Sequence, residues 1–318
     1  MRLAVIGAGA VGSSVVELAA DYGHTVTAYA DSQSAAVDPD GIDVEGAFER
    51  KQTDGIVGDD DPAAAVEGPY DVLVEATPTT LGDAQPGFGH VEAALTNDRH
   101  VVLANKGPVA ERYADVRALE RDSAGSVLFE ATVGGAMPVL STIDDFDPEH
   151  ITAVRGVLNG TANFILSRMG AEGLGYEHVL AEAQDLGVAE ADPTFDVDGT
   201  DAALKGVIVA NVLSADDTEY TLEDADVEGI QDIEGSALEL AAEDGRTVRL
   251  IAEVIEGEVR VGPRLVPEHA PLAPTGTRNI VQLETEHAGR LNISGRGAGG
   301  PETASAVLAD VGRLPELE

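Results

Sequence analysis

Short hydrophobic runs alternate with amphipathic stretches over the first 133 residues of the chain. The runs have the pattern of buried strands, and they cover residues 2–7, 25–30, 72–77, 100–104 and 126–133. The stretches between them repeat apolar residues at helical spacing, over 12–22, 89–97 and 108–122. Strands that alternate with helices predict a parallel sheet, and therefore an α/β domain of the Rossmann type. The acidic segment 31–68 is predicted to be a loop-rich connection.

The pattern changes after about residue 134. A strand at 151–159 is predicted to lead into helices at 161–169, 176–186 and 200–213, followed by an acidic stretch at 214–233. The segments 247–267 and 279–286 are strand-like and have no long helix between them. This order predicts an α+β domain, in which a sheet has helices on one face. The tail 295–314 is predicted to be a glycine-rich loop followed by a helix.

Three glycines follow the first predicted strand in the pattern G-x-G-x-x-G. Gly7 permits the tight turn, Gly9 lets a pyrophosphate approach the backbone, and Gly12 allows close packing of helix on strand. Ala10 and Val11 lie inside the pattern and are assigned to the same cofactor site. A glycine turn between two packed elements is the alternative. The order strand, loop, helix favours a dinucleotide.

Asp31 ends the second run, 19 residues after Gly12, where an acid that binds the ribose hydroxyls is expected. Such an acid would repel a 2′-phosphate and favour NAD. Arg50 and Lys51 are close in sequence and could instead neutralise that phosphate, so NAD and NADP both stay open. Thr77, at the end of the third run, is also assigned to the cofactor site.

The formal net charge is −39, from 58 acidic and 19 basic residues. This composition excludes general affinity for nucleic acid or anionic membranes, which requires basic patches. We expect adaptation to a salt-rich, halophilic cytoplasm, where screening weakens self-repulsion; an acidic binding surface is the alternative. The lack of cysteine excludes disulfides and thiolate chemistry. With no long apolar run and no signal-peptide pattern, we expect a cytoplasmic protein without a membrane partner.

Only three lysines occur, and two of them stand where chemistry could use them. Lys106 follows a predicted strand, and ligands of such sheets bind beyond the carboxyl ends of the strands. Lys205 comes four residues after Asp201, on the same face of a predicted helix. A lysine held by a carboxylate can act as a proton donor. The alternative is an ordinary exposed ion pair of little energy.

Five motifs together resemble the homoserine dehydrogenases, in the expected order and over nearly the whole chain. They are "VVLANKGP" (101–108), "EATVGGAMP" (130–138), "GVLNGTANFIL" (156–166), "GVAEADPTFDVDGTDAALK" (187–205) and "GRGAGG" (295–300). Leu103, Ala162 and Phe164 depart from the family strings, beside the functional positions rather than at them. The resemblance implies NAD(P)-dependent interconversion of L-homoserine and L-aspartate 4-semialdehyde, a step towards threonine and methionine.

The resemblance also implies roles for the matching residues. Lys205 and Lys106 match two active-site lysines, with Lys205 preferred as the proton donor, and Asp201 matches the acid that binds substrate and orients the chemistry. The substrate amino group would be gripped by Glu190, with help from Asp196, Gly160 and Thr161. Gly187 and Gly299 match positions near the cofactor. A sodium site would comprise Glu130 and the carbonyls of Val133, Gly135 and Met137.

The resemblance finally implies a homodimer and a C-terminal helix that returns to the nucleotide domain. We therefore predict a dinucleotide-binding domain at 1–133, rejoined by 296–318, and a substrate-binding and dimerisation domain at 134–295. Because the chain ends with that helix, neither a regulatory domain nor a fused aspartate kinase is expected. Two alternative functions stay open. One is another NAD(P)-dependent amino-acid or semialdehyde dehydrogenase, and the other is a non-catalytic dinucleotide sensor.

Overall fold

The computed structural model describes residues 1–214 and 218–317. The chain forms two compact units, and each has its own sheet. The first unit comprises Met1–Ala136 and Ala298–Glu318, and the second comprises Met137–Gly297.

The first unit contains a six-stranded sheet, counted over the described residues, in the order β3-β2-β1-β4-β5-β6. Its strands are β1 (Arg2–Ile6), β2 (Thr25–Ala30), β3 (Ala35–Val37), β4 (Val72–Glu75), β5 (His100–Leu103) and β6 (Val127–Leu128). All neighbours pair in parallel except β3, which runs antiparallel to β2 at the edge. The chain leaves β1 towards β2 and later returns to β4 on the other side of β1. This confirms the predicted α/β fold class with a Rossmann-type sheet.

Helices accompany this sheet in the first unit. They are α1 (Ala10–Leu18), α2 (Val44–Thr53), α3 (Pro62–Glu67), α4 (Gly87–Thr96), α5 (Gly107–Glu111), α6 (Tyr113–Arg121), α7 (Ala131–Gly134) and α14 (Gly300–Arg313). The strand side chains Leu3, Val5, Val74 and Val102 are fully buried between them. Helix α14 packs against α1, so the C-terminal segment completes the core of the first unit.

The segment 31–68 was predicted as loop-rich, and this prediction is wrong, because it contains β3, α2 and α3. Two of its acids are helix caps: the Asp43 carboxylate accepts from Gly46 N, and the Asp61 carboxylate accepts from Ala63 N. The strand predicted to reach residue 133 ends at Leu128. There Glu130 N–H donates to Asp310 instead of to a neighbouring strand, and α7 begins.

The second unit contains a second six-stranded sheet among the described residues, in the order β12-β11-β7-β9-β10-β8. Its strands are β7 (Ile151–Val157), β8 (Ala225–Val227), β9 (Arg246–Ile255), β10 (Glu258–Pro267), β11 (Arg278–Thr285) and β12 (Gly289–Arg296). The pairs are antiparallel except β8 with β10. The predicted acidic stretch 214–233 contains β8, and its residues 215–217 lie outside the described part of the chain.

The helices of the second unit are α8 (Val139–Phe146), α9 (Gly160–Glu172), α10 (Tyr176–Asp185), α11 (Thr194–Val197), α12 (Thr200–Leu213) and α13 (Gly235–Glu243). Strand β12 was not predicted, and its last two residues fall in the predicted glycine-rich loop that begins at residue 295. Its alternate polar residues Arg290, Asn292 and Ser294 are those of an edge strand with one solvated face. Among residues 1–214 and 218–317, no helix combines the length and apolar character that a bilayer crossing requires.

Candidate functional site

The glycine loop between β1 and α1 has the geometry that a pyrophosphate needs. Gly7 has φ +117°, and a side chain there would overlap the Ala76 carbonyl at the end of β4. A side chain at Gly12 would overlap the Gly7 carbonyl. At Gly9, by contrast, no atom lies within 4 Å of an added Cβ. The loop is therefore tight where it packs and open at Gly9, where a phosphate would approach.

The open side of this loop lies at the N-terminus of α1, whose first turn contains no acidic residue. The start of α14 adjoins it, because a Cβ added to Gly300 would lie 2.8 Å from the Ala10 carbonyl. Gly299, with φ +128°, precedes that helix. Two predicted cofactor positions, Ala10 and Gly299, are thus neighbours within the first unit. Helix N-termini present unpaired N–H groups that favour an anion.

Asp31 follows β2 and is engaged on both carboxylate oxygens. Oδ1 accepts from the N–H groups of Gln33 and Ser34, and Oδ2 lies 2.6 Å from Lys51 Nζ. Burial raises the pKa of Asp31, but the bonds from Lys51 and the two N–H groups outweigh it and hold that pKa below its usual value. Arg50 instead pairs with Asp59 at 2.6 Å. Of the two basic residues that could meet a 2′-phosphate, Lys51 is the one beside Asp31.

A buried carboxylate organises the carboxyl end of β4. Glu75 is fully buried, and its Oε1 accepts from Thr77 N at 3.0 Å, from Thr77 Oγ1 and from Asn105 Nδ2 at 3.2 Å. Its Oε2 lies 2.6 Å from His90 Nδ1. The prediction missed Glu75, although a charged residue inside the apolar run 72–77 was a signal for it.

Lys106 begins α5, directly after this network. Asn105 is 1% exposed, and its Oδ1 accepts from Gly107 N at 2.9 Å, while Lys106 N donates to Thr79 Oγ1 at 3.4 Å. The Lys106 residue itself is half-buried. The backbone at Lys106 is therefore fixed by the side chains of Thr79 and Asn105, and Glu75 holds Asn105.

Lys205 lies in the second unit, in the almost wholly buried helix α12. Lys205 and Asp201 are each 7% exposed, and Nζ lies 2.7 Å from Asp201 Oδ2. Nζ also donates to the Leu158 carbonyl at 2.6 Å. This burial rules out the alternative of an ordinary exposed ion pair. Both charged groups are removed from solvent, so they need hydrogen-bond partners, which are each other and the Leu158 carbonyl.

Asn159 joins this pair to a second carboxylate. Its Nδ2 donates to Asp201 Oδ2 at 2.9 Å and to Asp196 Oδ1 at 2.6 Å, while its Oδ1 accepts from Ala162 N and caps α9. Asn159 is 5% exposed. The structure thus brings together the predicted residues Asp196, Asp201 and Lys205 through a residue that the prediction missed. An asparagine two residues before the start of a predicted helix was its signal.

Three more residues were predicted to bind the substrate, namely Gly160, Thr161 and Glu190. Thr161 Oγ1 donates to the Val188 carbonyl at 3.0 Å, next to Gly187, which ends helix α10 at φ +69°. Gly160 packs on the loop that precedes β11, because an added Cβ would lie 3.0 Å from the Thr277 carbonyl. The Glu190 residue is exposed, and its backbone carbonyl accepts from Gln184.

Three of the predicted sodium ligands, Glu130, Val133 and Gly135, lie in or directly beside helix α7 of the first unit. Glu130 is 4% exposed at the start of that helix, and Gly135 ends it with φ +57°. Burial raises the pKa of the neighbouring Asp310 to about 6, and the Glu130 charge adds to that rise. Val133 belongs to α7, whereas Met137 opens the second unit, and its carbonyl accepts from Val139 N. One carboxylate with carbonyl oxygens is a donor set that suits a hard cation.

Two family models match the chain. The model described as homoserine dehydrogenase matches residues 138–311. The model described as glutamate/leucine/phenylalanine/valine dehydrogenase matches residues 1–74, which run from β1 to β4. The first match spans the Asn159, Asp201 and Lys205 cluster, and the second spans the glycine loop.

Curated relatives carry the same description. The homoserine dehydrogenase of Methanocaldococcus jannaschii is 39% identical, over 98% of this chain and 97% of its own. An NAD(+)-dependent homoserine dehydrogenase of Pseudomonas canavaninivorans is 38% identical, over 76% of this chain and 70% of its own.

Two solved structures superpose on this chain over nearly its full length. An Archaeoglobus fulgidus structure, provisionally given the same name, superposes with a TM-score of 0.90 at 41% identity, over 98% of each chain. A hyperthermophilic archaeal homoserine dehydrogenase in complex with NADPH superposes with a TM-score of 0.84 at 26% identity, over 100% of this chain and 99% of the other.

Proposed function

The chain belongs to the homoserine dehydrogenase family, and from this premise we propose how its residues interconvert L-homoserine and L-aspartate 4-semialdehyde. The enzyme is an NAD(P)-dependent oxidoreductase. Amino-acid biosynthesis is the general role of this family, on the route to threonine and methionine.

One observation carries the assignment of Lys205 as the proton donor. Among the described residues, two of the three N–H groups of its ammonium donate to Leu158 O and Asp201 Oδ2. The third N–H is therefore available to a substrate oxygen. Because Asp201 and Lys205 are both buried, the direction of that N–H is set before substrate binds.

In the reductive direction, we infer that Lys205 donates a proton to the oxygen of the substrate aldehyde. The bound nicotinamide supplies the hydride that the aldehyde carbon accepts, and the product is an alcohol. Asp201 holds the lysine in place and stabilises its charged form before transfer. Lys106 stabilises the negative charge that develops on the same oxygen, or shares the proton role. In the oxidative direction the neutral Lys205 amine removes the hydroxyl proton.

The substrate amino group is a cation, and carboxylates of the second unit suit it. Asp196 is oriented by its 2.6 Å bond from Asn159, and Glu190 is exposed and available for contact with a ligand. Gly160 and Thr161 begin the helix that Asn159 caps. We propose that Glu190 and Asp196 together select an α-amino acid over a simple alcohol.

The cofactor is NAD or NADP, and the glycine loop fits the pyrophosphate of either. Asp31 suits the ribose hydroxyls of NAD. Lys51 lies 2.6 Å from Asp31, and its exposed side could meet a 2′-phosphate instead. We propose that this pair permits both cofactors. We propose further that Gly7, Gly9, Ala10, Val11, Gly12, Thr77, Lys106, Gly187 and Gly299 surround the cofactor.

The sodium site remains a proposal that rests on its donors. Glu130 and Asp310 are 4% and 2% exposed, and each contributes negative charge. Arg313 lies 3.8 Å from Glu130 and 2.9 Å from Asp310, but its side chain is 44% exposed. We propose that a monovalent cation held by Glu130 and the carbonyls of Val133, Gly135 and Met137 offsets this buried charge.

The homodimer is also a proposal, and the charge-paired face of the second sheet, opposite α12, supports it. Gly206 of α12 packs towards Val254, so by alternation its neighbour Glu253 projects from the other face. On that face Glu253 and Glu284 both pair with Arg155, at 3.0 and 2.7 Å, and Arg264 and Arg290 pair with them in turn. In a chain of charge −39, this balanced face would not repel a second copy.

Light scattering of Arg155→Glu would test the dimer. The variant should be monomeric where the wild type is dimeric, while Arg121→Glu, an exposed change in the first unit, should leave the mass unchanged. A cytoplasmic location and adaptation to high salt stay predictions from composition.

Homoserine-dependent formation of NADH and NADPH, measured across a KCl series, tests the proposed function. We expect turnover with homoserine and at least one cofactor, and little with other amino alcohols. Turnover that prefers another amino acid or semialdehyde would identify a different dehydrogenase. Cofactor binding without any oxidation would identify a dinucleotide sensor. Activity that rises with KCl would support adaptation to salt.

A further inference from the structure

Two histidines and a glutamate gather at one end of the second-unit sheet. His150 is the last residue before β7, and Glu286 and His287 lie in the turn between β11 and β12. Their candidate ligand atoms all lie within 4.8 Å of one another. Glu286 Oε2 is 3.2 Å from His150 Nδ1 and 3.7 Å from His287 Nε2. None of these residues takes part in the proposed function.

The backbone holds these side chains together although they are far apart in sequence. Glu286 N donates to the His150 carbonyl at 2.9 Å, which extends the pairing of β11 with β7. The turn is closed by Thr285, whose Oγ1 accepts from Ala288 N at 2.8 Å and donates to the Gly289 carbonyl at 3.0 Å. A ligand of the cluster would therefore meet a preformed arrangement.

We propose that His150, Glu286 and His287 form a binding site for a divalent transition metal, with Zn²⁺ as the best fit. Two imidazoles and one carboxylate are ligands that Zn²⁺ accepts in a tetrahedral site with one open position. Zinc–ligand bonds of about 2.0–2.1 Å separate tetrahedral donors by about 3.3 Å. The donor separations of 3.2 and 3.7 Å at Glu286 are close to that value.

The position of the cluster separates the proposed metal from the Lys205 site. His150 precedes the first residue of β7, whereas Asn159 follows the last, and a seven-residue strand spans about 23 Å. A metal at the cluster would connect the β11–β12 turn to the start of β7. It would thereby stabilise that end of the sheet without touching the Lys205 site.

The probe for the test is Co²⁺, whose visible absorption is strong in a tetrahedral site of this kind. Untagged wild type is titrated in high-potassium buffer with excess Mg²⁺, which occupies oxygen-only sites on the acidic surface. We expect one Co²⁺ per chain with tetrahedral absorption, displaced by Zn²⁺. Affinity should fall at least tenfold in His150→Ala and in His287→Ala.

Matched variants decide the outcome. The control is His269→Ala, which removes another exposed histidine of the same unit and should bind as the wild type does. Zn²⁺ should raise the melting temperature of the wild type and of the control, and not that of the two cluster variants. Homoserine turnover should be equal in all four proteins. Wild type without saturable Co²⁺ binding, or equal affinity in the cluster variants, would overturn the proposal.

Discussion

The two lysines of the proposed active site are held in opposite ways. Lys205 is 7% exposed and bound directly, through Asp201 Oδ2 and the Leu158 carbonyl. Lys106 is half-buried, and its surroundings fix the backbone: Asn105 Oδ1 binds Gly107 N, and Glu75 holds Asn105.

This difference indicates a division of labour. A buried lysine with a directed N–H is preorganised to deliver a proton along one line. A half-buried lysine at the end of a strand can supply positive charge to a ligand, and charge alone does not require a directed proton. The predictions below test this difference, beginning with the largest expected effect.

Removal of Lys205 should cost the most. We expect Lys205→Ala to lower kcat by about 100- to 10,000-fold, because general acid catalysis is lost. Lys205→Arg should be nearly as inactive, because a guanidinium keeps the charge but does not release its proton. Lys106→Arg should retain much of the activity, since charge is sufficient there. Cofactor affinity, measured by NADPH fluorescence, should stay near that of the wild type in both Lys205 variants.

The opposite result would exchange the roles proposed for the two lysines. If Lys205→Arg keeps substantial turnover while Lys106→Arg loses it, Lys106 is the proton donor and Lys205 supplies charge. Melting curves of all variants are the control, because the loss of its lysine partner leaves the buried Asp201 carboxylate without a compensating positive charge and can also destabilise the fold.

Asn159→Asp should have the next largest effect. The aspartate still caps α9 through an oxygen, but it loses the N–H donors to Asp196 and Asp201 and adds a third carboxylate. We expect kcat to fall by about 10- to 100-fold with only a small change in melting temperature, because misplaced catalytic groups cost about that much. Asn292→Ala, on exposed β12, is the control and should remain active. Normal turnover in Asn159→Asp would show that Asn159 only caps the helix.

Glu75→Gln should have a smaller and different effect. The amide has the size of the carboxylate, but one of its two terminal atoms can no longer accept from Thr77, Asn105 or His90. We expect KM for the cofactor to rise about tenfold, with a lesser change in kcat, because Glu75 acts through its neighbours. A tenfold fall in kcat with an unchanged KM would instead indicate that Glu75 acts in the chemical step.

Lys51→Ala should have the smallest effect and should alter cofactor preference alone. Loss of one partly exposed charge should weaken NADP binding by about fivefold and leave NAD binding equal or slightly better, because Oδ2 of Asp31 then loses its bond to Lys51. Arg50→Ala, whose partner is Asp59, is the matched control and should change neither affinity by much. Equal weakening of both cofactors would contradict a role at the 2′-phosphate. Fluorescence titration with NADH and NADPH measures the two affinities.

The sequence predicted the regular parts of the fold well. The apolar runs predicted as strands at 2–7 and 100–104 correspond to β1 and β5, and helix α12 has the predicted bounds of 200–213. The failures occurred where local pattern and tertiary contact disagree. Asp43 and Asp61 of the segment 31–68 cap helices, and β12 forms because β11 is present to pair with it.

The sequence by itself determined the glycine loop, the α/β order of the first unit and the spacing that places Asp201 and Lys205 on one helix face. These depend on local periodicity and backbone freedom, which neighbouring residues encode. Only the tertiary structure decided that this pair is buried, that Asn159 joins it to Asp196, and that His150 meets Glu286 and His287. Burial and long-range contact depend on how strands distant in the chain pack together, which the spacing of residues within one segment does not specify.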